Sequence, residues 1–324
     1  MTKAIVFSEH GGPEVLHWQE VVVPKPARGE AVVRALAIGV NYIDTYHRTG
    51  LYPLSLPAIP GMEAAGVIEA VGPGVKEFKP GDRVAYATLP PGSYAQARAI
   101  AANRLVKVPN GIGFDVAAAG LLKGLTAYYL LHQTFRVRRG QPILVHAAAG
   151  GVGLILCNWA NALGATVIGT VSSAAKAKLA KRHGCRYPII STAENFVERV
   201  REITRGQGVS VVYDGVGRTT FMPSLDCLSP LGLMVSYGNA SGPVEAFNLG
   251  VLAQKGSLFV TRPTLMTHTA NRAQLVKGAR AVFSAIRRGV IKIEIGQTYP
   301  LHEAAQAHRD LEGRKTSGST LLLP

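Results

Sequence analysis

The chain has 324 residues, 47% of them hydrophobic, and its 35 Lys and Arg against 20 Asp and Glu give a net charge of +15. This length allows two domains with sizeable cores. The basic residues are dispersed and no zinc-finger or RNA-motif signature accompanies them, so the charge favours phosphate-bearing ligands and at most nonspecific or weak nucleic-acid binding. Three widely spaced cysteines argue against a disulfide framework.

The N-terminus lacks a basic region followed by an apolar core, and no uninterrupted apolar run reaches the roughly 18 residues of a membrane span. We therefore expect a cytoplasmic protein with no signal peptide and no membrane segment.

The first 120 or so residues consist of short β-rich runs separated by glycine and proline turns. KAIVF, EAVVRALAIGV and AAGVIEAVG predict strands, and their spacing predicts a compact, barrel-like β domain. From Phe114 the segment FDVAAAGLLKGLTAYYLLHQTF carries apolar residues at helical spacing. It predicts one or two helices that lead into a second domain.

From Gly140 onward, strands and helices alternate. Strands are predicted at PILVHA, TVIGTV, YPIIS, VSVVYDGVG, GLMVSYG and GSLFVTRP, with helices at LILCNWANALG, AAKAKLAKRHG and AENFVERVREITRG. This alternation predicts an α/β, doubly wound domain whose parallel sheet is covered on both faces. The last 60 residues predict the helix NRAQLVKGARAVFSAIRRG, the strand IEIGQTYPL, the helix EAAQAHRDLEGRK and the strand GSTLLLP. We expect this tail to return to the first domain.

The turn HAAAGGVG joins a predicted strand to a predicted helix, where a dinucleotide-binding fingerprint belongs. Gly150 and Gly153 occupy two of its three glycine positions, and Ala148 occupies the first, where it should widen the turn slightly. In the fingerprint these glycines allow close approach to a pyrophosphate and close helix packing, while the helix N-terminus supplies N–H donors. A purely structural glycine turn is the alternative interpretation.

The end of the second strand of this domain lacks the acidic residue that grips the ribose in NAD enzymes, since Val171, Ser172 and Ser173 stand there. Without a carboxylate a 2′-phosphate is not repelled, the serines offer hydroxyl donors and Lys176 supplies charge. The pattern therefore favours NADPH over NADH. A structural interpretation is compatible with this one: Ser172 caps the next helix and Lys176 lies at the surface.

The segment Pro60–Tyr86, PGMEAAGVIEAVGPGVKEFKPGDRVAY, resembles the hallmark of the medium-chain dehydrogenase/reductase superfamily. With NYIDTYHRTGLY, LLKGLTAYYLL, VHAAAGGVG and KGSLFVTRP, the chain resembles the quinone oxidoreductase (zeta-crystallin-like) branch from end to end. The resemblance implies a GroES-like β-barrel catalytic domain formed by residues 1–123 and 263–324. It also implies a Rossmann NADPH-binding domain over residues 124–262, an active-site cleft at the junction, and a homodimer.

Zinc-dependent members of the superfamily carry a cysteine near the position of Asn41 and a histidine in a G-H-E triplet. Here the triplet is Gly61-Met62-Glu63, and residues 38–47 contain no cysteine. Zn²⁺ prefers thiolate, imidazole and carboxylate ligands, so we expect neither a catalytic nor a structural zinc. The histidines, including His47 and His146, show no ligand spacing, and we expect them at the surface or in turns.

The resemblance implies that Asn41, Tyr46 and Tyr52 surround the nicotinamide and the quinone. Asn41 would donate an amide N–H, and the tyrosines would stack or donate a hydroxyl proton. Alternatively, the two tyrosines only pack a loop, and Asp44 holds Arg48.

For the cofactor, the resemblance implies contacts that run from the nicotinamide through the pyrophosphate to the 2′-phosphate. The implied residues are Asn41, Thr126, Gly150, Gly151, Val152, Ser172, Lys176, Tyr237, Gly238 and Arg262. Ser191 stands where many relatives carry a tyrosine near the adenosine, so we expect looser NADPH binding.

Together these features predict an NADPH-dependent reductase that transfers reducing equivalents to small quinones without a metal. One alternative is NADPH-dependent reduction of activated C=C bonds in enones or alkenals. The other is an RNA-binding or crystallin-like protein that retains NADPH.

Overall fold

The computed structural model describes residues 1–324. The elements up to residue 129 are β1 (Thr2–Val6), β2 (His17–Val21), β3 (Glu30–Val40), α1 (Tyr42–Arg48), β4 (Glu63–Val71), β5 (Arg83–Ala87), β6 (Ala97–Ala101), β7 (Val106–Lys107) and α2 (Phe114–Tyr129). The next are β8 (Pro142–Val145), α3 (Gly151–Ala162), β9 (Thr166–Val171), α4 (Ala174–Arg182), β10 (Tyr187–Ile190), α5 (Phe196–Ile203), β11 (Val209–Asp214), α6 (Phe221–Leu225), β12 (Leu228–Ser236), α7 (Gly250–Gln254) and β13 (Phe259–Thr261). The last are α8 (Leu265–His268), α9 (Arg272–Arg287), β14 (Ile295–Pro300), α10 (Ala304–Glu312) and β15 (Ser319–Leu323).

Two compact units divide the chain. The first contains Met1–Leu125, Thr269–Arg287 and Ile293–Pro324, and the second contains Thr126–His268 and Arg288–Lys292.

The first unit is built on a seven-stranded sheet in the order β14-β15-β3-β4-β5-β7, with β6 also paired to β3. All its pairs are antiparallel except β14 with β15. The inward side chains, among them Val33, Ile38 and Ile68, form one apolar core. A Cβ at Gly66 would lie 1.9 Å from the Arg34 carbonyl oxygen, so the close pairing of β3 and β4 requires glycine there.

The second unit is built on a six-stranded parallel sheet in the order β10-β9-β8-β11-β12-β13. Numbered within the unit, this order is 3-2-1-4-5-6, the doubly wound arrangement of dinucleotide-binding domains. The strand order reverses between β8 and β11, and ligands of such sheets bind outside the carboxyl ends of the strands at this point. The predicted Rossmann fold is confirmed.

One helical run passes the length and composition test for a membrane span. It covers Phe114–Thr134, which is α2 and the π-helical turn that follows it. Within its 18-residue apolar window 72% of the residues are buried in the protein. Buried core helices pass the same test, so the run is weak evidence for a membrane segment.

Candidate active site

The glycine turn leaves the N-terminus of α3 without a side-chain cap. Gly150 is the N-cap residue in an extended conformation (φ −80°, ψ 170°), and no side chain accepts from the first turn. Because the first N–H groups of a helix have no partners within the helix, those of Gly151 and Val152 remain for an anionic ligand. A Cβ at Gly153 would lie 2.3 Å from the Ala147 carbonyl oxygen, so glycine is required for α3 to begin here. The turn fits a pyrophosphate.

Ala148 replaces the first glycine of the fingerprint, and the neighbouring strand makes room for its methyl group. Ala148 is fully buried. A Cβ at Gly169 of β9 would lie 2.6 Å from the Ala148 Cβ and 2.8 Å from the Cys185 Sγ. The extra carbon therefore lies against a strand position that has no side chain. The left-handed residue of this turn is Ala147, at φ 50°.

The end of β9 carries the groups predicted for a 2′-phosphate, but the helix cap is not the predicted one. Ser173, rather than Ser172, is the N-cap of α4, and its Oγ accepts a hydrogen bond from the Lys176 backbone N at 3.3 Å. The expectation that Ser172 caps this helix was wrong, because Ser172 precedes the cap position by one residue. Ser191 donates from its hydroxyl to the Val171 carbonyl oxygen at 3.2 Å and so ties the end of β10 to β9.

At the carboxyl ends of β11 and β12, backbone groups approach closely. The Tyr237 N donates to the Asp214 carbonyl oxygen at 2.8 Å. A Cβ at Gly238 would lie 2.4 Å from the Gly215 carbonyl oxygen, so only glycine fits there. Arg262 follows β13, and its Nη1 donates to the carbonyl oxygens of Ser236 at 2.8 Å and Gly238 at 3.3 Å. This arginine braces the strand end.

The predicted cofactor residues fall into one unit with one exception. Thr126, which is buried on α2, and all those from Gly150 to Arg262 belong to the second unit, whereas Asn41 belongs to the first.

In the first unit, Asn41 begins α1 and is held by a reciprocal cap. Its backbone N donates to the Asp44 Oδ2 at 2.9 Å, and the Asp44 N donates to the Asn41 carbonyl oxygen at 3.0 Å. The Asn41 Nδ2 donates to the Glu63 Oε2 at 3.0 Å and to the Gly39 carbonyl oxygen at 3.3 Å. Both amide hydrogens therefore have acceptors inside the protein, and a direct role of Asn41 toward a substrate stays a prediction.

A buried ion pair that the sequence pattern did not predict supports Asn41. Lys123 on α2 donates from Nζ to the Glu63 Oε2 at 3.2 Å, which is the oxygen that also accepts from Asn41. Glu63 is fully buried and Lys123 is 5% exposed. The signal available in the sequence was the single charge inside the apolar run LLKGLTAYYLL.

Tyr46 and Tyr52 lie together beside α1. Their ring centroids are 5.3 Å apart at 68°, an edge-to-face contact, and the Tyr52 N donates to the Tyr46 carbonyl oxygen at 3.0 Å. His47 packs edge-on against Tyr52, at 6.1 Å between centroids. Tyr46 is buried and Tyr52 is partly buried, so the packing interpretation fits both rings, and their contact with a ligand stays a prediction.

Asp44 and Arg48 do not pair, so the expectation that Asp44 holds Arg48 was wrong. Arg48 makes a bidentate contact with Glu312, at 2.9 Å from Nη1 and 2.8 Å from Nη2. Asp44 instead accepts from the Tyr94 hydroxyl at 3.0 Å. Burial raises the pKa of Asp44 to about 7, although the hydrogen bonds from the Asn41 backbone N and the Tyr94 hydroxyl act to lower it.

The two named histidines are buried. The expectation of a surface or turn position was wrong for His47, which lies on α1, whereas His146 lies in the turn that follows β8. Burial lowers the pKa of His47 to about 4, and it also lowers the pKa of His146. The His146 ring nitrogens lie 2.9 Å from the Thr170 Oγ1 and 2.7 Å from the Ser224 Oγ, inside the second unit.

Comparison with known proteins gives matches over the full chain. The family model "Alcohol dehydrogenase GroES-like domain" matches residues 27–138, and "Zinc-binding dehydrogenase" matches residues 151–277. A quinone oxidoreductase from Pseudomonas aeruginosa is 54% identical, with both chains covered completely. The chain belongs to the quinone oxidoreductase family. The resemblance drawn from the motifs is confirmed.

Two further relatives bear on cofactor and substrate. The crystal structure of Escherichia coli quinone oxidoreductase complexed with NADPH is 51% identical, with a TM-score of 0.98 over 99% of this chain and 100% of that one. A 2-haloacrylate reductase from a Burkholderia species is 48% identical over 100% of this chain and 99% of its own.

In this chain, no group of three or more His, Cys, Asp or Glu side chains is arranged to hold a metal ion. Although a matching family model carries zinc in its description, Met62 stands at the ligand position of the triplet. Methionine is not among the ligands that zinc prefers.

Proposed function

We propose that this chain is an NADPH-dependent quinone reductase that transfers reducing equivalents to small quinones without a metal. The observation that carries the proposal is the uncapped, glycine-formed N-terminus of α3 at the strand reversal of the sheet, in a chain 54% identical from end to end to a quinone oxidoreductase. NADPH supplies the hydride when bound.

The residues of the second unit bind and orient the cofactor in this proposal. Backbone N–H groups at the start of α3 hold the pyrophosphate, and the end of β9 with the first turn of α4 holds the 2′-phosphate. The end of β12, braced by Arg262, supports the nicotinamide side together with Thr126. The proposed residues are Thr126, Gly150, Gly151, Val152, Ser172, Lys176, Tyr237, Gly238 and Arg262.

The residues Asn41, Tyr46 and Tyr52 orient the quinone in this proposal. A quinone is already electrophilic, so positioning close to the hydride donor supplies much of the rate. The aromatic faces of the tyrosine pair suit a flat ring, and their hydroxyls are donors for a reduced oxygen.

Steady-state rates with 1,4-benzoquinone, 9,10-phenanthrenequinone and a 2-alkenal test the acceptor class. Turnover of the quinones with NADPH is the expected result. Turnover of the alkenal alone would overturn the proposal.

Reduction of activated C=C bonds is the second candidate, and the 2-haloacrylate reductase at 48% identity favours it. Hydride delivery to the β-carbon of such a substrate needs a similar pocket, so the same assays include 2-chloroacrylate. A kcat/KM for 2-chloroacrylate above that for both quinones would favour this candidate.

We also propose a homodimer that pairs through β13, the edge strand of the second unit. Phe259 on β13 is 59% exposed, Val260 is also exposed, and an apolar edge strand is a ready template for another strand.

The proposed location of the protein is the cytoplasm. The proposed domains are residues 1–123 with 263–324, and residues 124–262. Any nucleic-acid binding should be weak and should disappear near physiological salt in gel-shift titrations.

A further inference from the structure

A chain of buried polar side chains runs through the first unit from α10 to α1. Arg48 Nη1 lies 3.0 Å from the His308 Nδ1, and the His308 Nε2 lies 3.0 Å from the Tyr94 hydroxyl. That hydroxyl lies 3.0 Å from the Asp44 Oδ2. Each of the four side chains is buried, and only Glu312, which pairs with Arg48, reaches the surface. Buried polar groups of this kind are costly unless each has a partner.

The direction of every hydrogen bond in this chain follows from Arg48. A guanidinium only donates, so the His308 Nδ1 must accept, and the neutral ring carries its hydrogen on Nε2. Burial and the neighbouring Arg48 lower the pKa of His308 to about 3, which keeps the ring neutral. The His308 Nε2 therefore donates to the Tyr94 oxygen. Burial, together with Asp44, raises the pKa of Tyr94, so its hydroxyl keeps its proton and donates to Asp44.

Two donors converge on one oxygen of Asp44. Oδ2 accepts from the Tyr94 hydroxyl and from the Asn41 backbone N, whereas Oδ1 is buried without a partner. This arrangement fixes the carboxylate against the first turn of α1. The residue held at that turn, Asn41, contacts the Glu63–Lys123 pair and is proposed to orient the quinone.

We propose that Arg48, His308 and Tyr94 are positioning residues that hold Asp44, and through it Asn41, in the geometry for quinone reduction. The ionisation of Asp44 then sets the pH dependence of the reaction. This inference rests on the proposed function.

The charges that face Asp44 come from several elements. Burial dominates and raises its pKa to about 7, and Glu63 on β4 adds to the increase. The Asn41 and Tyr94 hydrogen bonds and Lys123 on α2 oppose it. Protonation of Asp44 at Oδ1, which is buried without a partner, creates an O–H group that has no acceptor. It also turns the two charge-assisted hydrogen bonds to Oδ2 into neutral ones of about half the strength. Asn41 is therefore held best when Asp44 is ionised.

The test is the pH profile of kcat/KM for 9,10-phenanthrenequinone at saturating NADPH. In the wild type, we expect kcat/KM to rise with pH through an inflection near 7. Tyr94→Phe removes a donor to the charged form, so the inflection should move up by about one unit. This gives about tenfold lower kcat/KM well below the inflection and a value near wild type above it. Asp44→Asn should abolish the inflection.

Two further variants separate positioning from general damage. His308→Gln keeps an acceptor for Arg48 and a donor for Tyr94, so its profile should match the wild type, whereas His308→Leu should shift the inflection upward as Tyr94→Phe does. Tyr299→Phe is the matched control, because Tyr299 donates to Asp310 at 2.9 Å in the same unit but outside this chain. Its profile should not move.

The inference is overturned if the inflection stays in place in Tyr94→Phe and His308→Leu while the wild type reduces quinones. A wild type that turns over no quinone contradicts the proposed function instead. In that event the pH dependence of folding stability tests the buried polar side chains separately. Because the pKa of Asp44 is raised on folding, its contribution to the free energy of unfolding is fully present below pH 3.8 and is lost as pH rises through about 7. Asp44→Asn should remove this loss, and identical pH dependence in both proteins would refute a buried, titrating Asp44.

Discussion

Replacing Lys123 with methionine tests whether the buried ion pair supports the first unit and Asn41. The Glu63 side chain is fully buried and accepts from the Lys123 Nζ, the Asn41 Nδ2 and the Leu122 backbone N. Methionine approximates the length and shape of the lysine stem but carries no charge. Lys123→Met therefore leaves a buried carboxylate with two neutral donors and no countercharge.

The expected loss is large compared with the stability of the protein. Removing one partner of a buried ion pair costs about 3–5 kcal/mol, because the remaining charge stays desolvated. Folded domains are stable by about 5–15 kcal/mol, so this change removes roughly a third or more of the stability in most of that range. The double variant Glu63→Gln, Lys123→Met removes both charges and keeps an amide oxygen for Asn41. Its loss should be smaller than that of Lys123→Met alone.

Urea unfolding followed by circular dichroism measures these differences, with Lys107→Met as the control. Lys107 pairs with Asp82 at 3.3 Å, but its side chain is 61% exposed, so this substitution should cost less than about 1 kcal/mol. In the same proteins the KM for quinone should rise in Lys123→Met, since Asn41 shares its acceptor with the lost ammonium. Equal losses for Lys123→Met and Lys107→Met would refute the reasoning.

Three further predictions concern the second unit. Lys176→Ala or Ser172→Asp should raise the KM for NADPH about tenfold or more, because a hydrogen bond to a charged group contributes about 1.5–3 kcal/mol. The KM for NADH should rise less. Equal changes for the two cofactors would remove both residues from 2′-phosphate recognition. Gly169→Ala should lower the free energy of unfolding by about 1–3 kcal/mol, measured by thermal unfolding, because its Cβ overpacks against that of Ala148. Adding Ala148→Gly should recover part of this stability. Strictly additive losses would contradict the contact between the two positions. Phe259→Lys should halve the mass measured by light scattering, and an unchanged dimer would exclude β13 as the interface.

The sequence predicted local elements well where pattern and boundary coincide. The predicted strands EAVVRALAIGV and TVIGTV correspond residue for residue to β3 and β9. A glycine lies within two residues before each run, and Asn41 or Ser172 follows it directly. The helix predicted from Ala193 begins three residues later at Phe196. The Asn195 side chain accepts from the Val197 N and caps it there, which the apolar spacing does not reveal.

Partners distant in sequence were not predictable in the same way. Arg48 lies four residues after Asp44 on one helix, a spacing that favours an ion pair. In the folded chain Glu312, 264 positions away, takes the guanidinium, and Asp44 receives the Tyr94 hydroxyl instead. Local spacing shows which side chains on one helix can contact each other. The tertiary structure determines whether such a side chain pairs with this neighbour or with a residue distant in sequence.

The two halves of the proposed reaction therefore differ in what holds their residues. On the cofactor side, glycines and strand ends place backbone groups, and the topology of a parallel sheet fixes where strand ends meet. On the quinone side, Asn41 depends on buried charges at Glu63, Lys123 and Asp44, each of which is costly without its partner. A substitution among these charges changes the surroundings of Asn41 without altering the parallel sheet. Acceptor preference should therefore change more readily than NADPH binding, and variants of Lys123 should retain their KM for NADPH while losing quinone turnover.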